Sequence, residues 1–94
     1  MYVVVLRLTD GARVAEHVAG HREWLRHGFD DGVFFLTGGI PQAGGGVILA
    51  AGQPHDQLAA RMAADPFVAN GVATPEIIEI EPTMNDPRLA FLAG

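Results

Sequence analysis

Apolar residues in this chain fall into short blocks separated by glycine, proline and aspartate, and the spacing within each block predicts an element. Residues 2–8, Tyr2-Val3-Val4-Val5-Leu6-Arg7-Leu8, are largely β-branched or apolar, too few for a core helix, and stop at the turn signal Thr9-Asp10-Gly11. This is the first predicted strand. Both alternating sets, Tyr2/Val4/Leu6/Leu8 and Val3/Val5, are apolar, so both of its faces are expected to be covered. Residues 12 to about 29 carry helical periodicity instead. With Val14 as origin and ~100° per residue, Val18, His21 and Leu25 fall within about 40° of it, while Arg22, Glu23 and Arg26 make the solvated side. That helix is expected to fade at Gly28, before the turn Asp30-Asp31-Gly32.

Val33 to Gly38 is apolar on both alternating sets and predicts a second strand; residues 39–46 are a glycine-rich connection; Val47 to Ala51 predicts a third. The connection lacks the lysine and Ser/Thr of a phosphate-binding loop and is followed by a strand rather than a helix, so it reads as a hairpin. A second helix begins near Gln53-Pro54-His55-Asp56 and ends near Ala64. Asp65-Pro66-Phe67-Val68-Ala69-Asn70-Gly71 then reads as one capped turn, with Asp at the N-cap and Pro at the first helical position. Thr74 to Glu81 predicts the fourth strand, and residues 85–94 a tail whose Leu89, Phe91 and Leu92 can dock. The order is β-α-β-β-α-β, which predicts an α+β, ferredoxin-like single domain over residues 1–94: an antiparallel four-stranded sheet with both helices on one face. The other sheet face is then apolar and open. A second copy of the chain is the economical cover, so a homodimer or higher homo-oligomer is expected.

Composition sharpens this picture in three ways. Hydrophobic residues make up 49% of 94 residues, high for a small monomer and ordinary for a chain that also buries surface against itself. Six dispersed arginines, no lysine and eleven acidic residues give a net charge of −5, which argues against a nucleic-acid partner. No cysteine is present, no apolar run approaches the ~18 residues of a membrane span, and no charged n-region opens the chain; the expectation is a cytoplasmic protein with no membrane partner.

The candidate chemistry starts from His21, an imidazole inside an apolar helix stripe. A buried ring nitrogen without a hydrogen-bond partner costs on the order of 1–3 kcal/mol, so His21 needs a partner, whether it is a structural or a functional histidine. His17 precedes it by four residues, a metal-ligand spacing, but the segment lacks the glutamate of an H-E-x-x-H motif. Arg7 can pair with Glu79 or Glu81 on the neighbouring strand, or hold a ligand anion. Trp24 suits either the core or a stacking platform. The chain contains no serine, which excludes a Ser-His-Asp triad.

Taken together, Tyr2-Val3-Val4-Val5, His21-x-x-Trp24-Leu25, Gly38-Gly39-x-Pro41 and Ala64-Asp65-Pro66-Phe67-Val68-Ala69-x-Gly71-Val72 resemble the YciI-like proteins over about residues 2–82. The resemblance implies a dimeric α+β barrel of ferredoxin-like protomers and a His-Asp pair corresponding to His21 and Asp65, with Gly39, Pro41, Phe67, Trp24 and Arg7 as candidate substrate-binding positions. It implies a small-molecule enzyme without cofactor or metal that performs general acid/base chemistry: elimination, isomerisation or hydrolysis of a small, cyclic substrate, as in relatives associated with dehydrochlorination. A non-catalytic dimeric ligand-binding or accessory module is the alternative. The chain departs from the family pattern where an arginine often precedes the histidine; Val18, Ala19 and Gly20 stand there instead.

Overall fold

A computed structural model describes residues 1–92; the last two residues of the expected tail lie outside the described residues. The strands are β1 (Tyr2–Leu8), β2 (Phe34–Gly39), β3 (Gly46–Ala50) and β4 (Ala73–Glu79), and the helices are α1 (Val14–Asp30), α2 (His55–Ala63) and α3 (Pro66–Ala69). A 3-10 turn, Gly11–Arg13, leads into α1, and another spans Pro87–Leu92. All strand pairings are antiparallel and the order is β2-β3-β1-β4, the ferredoxin-like arrangement expected from the element order.

Register explains how the sheet separates its two faces. One row crosses all four strands as Thr37, Ile48, Val4 and Ile77; Val4 and Ile48 are buried beneath Leu58 and Met62 of α2 and Phe67 of α3. The adjacent row, Leu36, Leu49, Val3 and Ile78, points the other way because successive side chains alternate. Among the described residues no element covers its edges: Leu36 is 51% and Ile78 40% exposed. Within one chain the helices cover one face of β1 and β2 and the other stays open, as the element order predicts. The tail reaches toward the open side, where the Phe91 ring lies 5.0 Å from Phe35.

Helix α1 does not fade at Gly28. It runs on to Asp30, and the chain turns at Gly32 with φ +72. Gly28 is buried inside the helix because the Phe34 ring packs directly on its Cα; a side chain there would overlap three ring atoms. The glycine serves packing, not termination. Asp65 caps α3 as expected: its side chain accepts a hydrogen bond from the Phe67 backbone N–H at 3.0 Å.

Gly28→Ala tests this packing. Alanine is the better helix former by ~1 kcal/mol, yet displacement of Phe34 is expected to dominate, with a net loss of about 1–2 kcal/mol on urea unfolding.

Candidate active site

The two helical elements that matter are brought together by a residue with no side chain. Gly20 of α1 faces Pro66 of α3, and a Cβ at Gly20 would meet the proline ring at 3.2 Å. Close approach at this point brings the start of α3 against the turn of α1 in which His21 stands. The far end of α3 is tied to the β1–α1 connection: Thr9 and Asp10 donate backbone N–H groups to the Val72 carbonyl at 2.8 and 3.2 Å, Thr9 Oγ1 donates to the Gly71 carbonyl at 2.7 Å, and Arg13 to that of Asn70 at 3.0 Å.

Within this frame His21 Nδ1 lies 2.8 Å from Asp65 Oδ1. Asp65 is fully buried, the one polar residue in the core among the described residues, and its Oδ1 accepts from both His21 and the Phe67 N–H. Its Oδ2 is buried with no hydrogen-bond partner among the described residues. A carboxylate offers only acceptors, so Nδ1 is a ring nitrogen that carries a hydrogen, and Nε2 has no hydrogen-bond partner among the described residues. The ring is held from the side as well. Phe67 stacks on it at 4.1 Å and 15°, and Trp24 lies at 5.8 Å and 27°. Trp24 is itself fixed, since its indole N–H donates to the Arg61 carbonyl at 3.0 Å.

His21 is 15% exposed, and the opening it faces is a cleft of about 320 Å³ at the end of the sheet. On one side stand Val14, His21, Arg22 and Leu25 of α1, with Phe67 of α3. On the other are Thr37, Gly38 and Gly39 of β2, and Gly45 and Gly46 where the hairpin returns into β3; Leu6 and Leu8 of β1 and Ala73 of β4 complete the wall. The hairpin is shaped for this position. Gly45 holds φ +79 with its Cα against the Leu6 carbonyl, where no side chain fits.

Of the positions singled out in the sequence, the structure brings His21, Asp65, Phe67 and Gly39 to this cleft or directly behind it. The others lie elsewhere. Trp24 buttresses His21 but does not line the cleft, and Pro41 is exposed in the hairpin turn. Arg7 points from the open face of β1, where it pairs with Glu76 at 3.0 Å rather than with Glu79 or Glu81. Register explains the difference: Arg7 stands opposite Thr74, two residues from Glu76, whereas Glu79 stands opposite Tyr2. Sequence reasoning missed Arg22, assigned to the solvated side of α1 yet placed at the rim of the cleft beside His21.

No protein-family model and no curated protein sequence matches the chain. Among solved structures, the protein is similar to the 5-chloro-2-hydroxyhydroquinone dehydrochlorinase TftG from Burkholderia phenoliruptrix AC1100, determined in complex with 2,5-dihydroxybenzoquinone. The TM-score is 0.68 at 13% sequence identity, over 85% of this chain and 93% of that one. The two share the α+β, ferredoxin-like fold. At this identity the likeness extends to the backbone arrangement, and the chemistry has to be argued from the residues of this chain.

Two substitutions separate the roles of Asp65. Asp65→Ala removes the α3 cap, worth about 1 kcal/mol, together with the His21 hydrogen bond, and is expected to lower stability by about 2–4 kcal/mol. Asp65→Asn keeps a capping oxygen and is expected to lose less than half as much, both measured by urea unfolding.

Proposed function

We propose that the protein is a small-molecule enzyme in which His21 is the general acid/base and Asp65 orients it. The observation that carries this reading is the 2.8 Å contact between His21 Nδ1 and a fully buried carboxylate, with His21 itself lining the cleft. Asp65 fixes the tautomer and offsets the charge that develops when Nε2 takes a proton. Phe67 and Trp24 keep the ring from rotating away. A lone proton-transfer pair of this kind suits elimination, isomerisation or hydrolysis of a small cyclic substrate without a cofactor. Elimination is the variant the fold neighbour supports, since that protein is a dehydrochlorinase. There, Nε2 would take a proton from the substrate, the freed electron pair would form the new double bond, and chloride would leave.

The assembly we propose is a homodimer joined through the open sheet face. The row Leu36, Leu49, Val3 and Ile78 is apolar across the full width of the sheet, and Arg7 and Glu76 satisfy each other at its margin. Face-to-face packing of two such sheets buries these residues and leaves the cleft, on the helix side, accessible.

With 5-chloro-2-hydroxyhydroquinone as the first substrate tried, chloride release is expected to fall about 10²–10⁴-fold in His21→Gln. Release at the wild-type rate by that variant would overturn the acid/base assignment and leave a ligand-binding module as the reading. Light scattering at micromolar concentration is expected to give twice the 10.0 kDa chain mass. Ile78→Glu should shift that mass toward the monomer; a monomeric wild type refutes the assembly.

A further inference from the structure

Arg22 differs from every other arginine in the protein. Arg7 pairs with Glu76, Arg13 with Asp10 and Glu16, Arg26 with Glu23, Arg61 with Asp31 and Arg88 with Asp86, whereas Arg22 has no carboxylate partner among the described residues. Its place on the helix explains why. The positions three and four residues away, where a helical partner would stand, are Val18, Ala19, Leu25 and Arg26. The guanidinium therefore has no carboxylate partner among the described residues, and Arg22 is one of the residues that line the cleft.

The cleft itself is the second observation. The protein carries a net charge of −5, yet no aspartate or glutamate lines this opening. Its polar side chains are His21, Arg22 and Thr37, and the remaining side chains are apolar. Thr37 and the four cleft glycines add a hydroxyl and close access to backbone, while Leu6, Val14, Leu25 and Phe67 would enclose a flat apolar body. One positive charge in a largely apolar opening, with Asp65 buried behind His21 and no carboxylate on the wall itself, favours a ligand that brings its own negative charge.

We propose that the cleft selects small anionic ligands, a carboxylate or an ionised phenol on a ring-sized apolar body, and that Arg22 is the residue that anchors the anion. The proposal rests on the reading of this cleft as the working site but does not need His21 to be catalytic. His21 and Arg22 both line the cleft, so the guanidinium can hold one edge of a bound ring while the imidazole meets another.

The test is an NMR titration of the intact chain with benzoate and, separately, with its neutral isostere benzamide, following the amides of Gly38, Gly39, Gly45 and Gly46. Benzoate is expected to shift these amides and to bind at least about tenfold more tightly than benzamide, with Arg22→Gln abolishing that preference and Arg22→Lys restoring part of it. Arg22 is exposed, so these variants are expected to fold, which their spectra report directly. Equal binding of the two probes, no benzoate shifts at the cleft glycines, or undiminished benzoate preference in Arg22→Gln would each overturn the anion site. The same titration of His21→Gln keeps the two readings apart. Retained benzoate preference there supports the Arg22 anchor whatever becomes of turnover, and loss of it there, with Arg22 in place, overturns Arg22 as the anchor.

Discussion

The structure near the cleft depends on a single buried carboxylate. Asp65 is wholly removed from water, and a carboxyl group in that position is tolerable only when donors reach it. Two do, the Phe67 N–H from its own turn and the His21 ring from α1, both to one oxygen. The first is a local consequence of capping. The second requires two elements 44 residues apart in sequence to meet within hydrogen-bonding distance, and the molecule commits several features to that meeting. Gly20 admits Pro66, the Val72 carbonyl anchors the exit of α3 to the β1–α1 connection, and Phe67 supplies both the capping N–H and the ring that stacks on the imidazole.

The sheet divides the rest of the work. Its helix-facing row builds the core, and the cleft opens at the end of that same face, between α1 and the β2–β3 hairpin. The opposite row is as apolar as the core but has no helix over it. Because alternation assigns these rows strictly, a residue's role follows from its parity along the strand. Arg7 and Leu6 are neighbours in sequence, yet Leu6 lines the cleft and Arg7 faces away from it. The cleft and the open apolar row therefore share no residues.

Charge is distributed on a local rather than a global scale. A net charge of −5 describes the whole surface, while the cleft contains no acidic side chain at all. Most arginines are consumed by nearby carboxylates, exposed pairs that contribute little to stability but remove free cations from the surface. What is left over at Arg22 stands out for that reason, and it does so next to the histidine.

The elements and their order were legible in the sequence because they rest on local rules: periodicity 2 for the strands, 3.6 for α1, and Asp-Pro at the start of α3. His21 was legible too, since an imidazole in an apolar stripe demands a partner, and the motif resemblance pointed to Asp65 as that partner. The register was not. Which glutamate Arg7 reaches, and which of Ile77 and Ile78 meets the core, depend on how β1 and β4 align, a non-local choice that leaves no mark in either strand alone. Gly28 misled for a similar reason: a glycine near a helix end reads as a stop, and only the Phe34 ring arriving from β2 shows it to be a packing contact. Arg22 sits on the helix side that periodicity assigns to solvent, and it became a cleft residue because the glycine hairpin of another element rises beside it. The sequence by itself determined the elements and the need for a buried pair; the tertiary structure decided which side chains share a cavity, because that is a matter of distance between segments that local patterning does not encode.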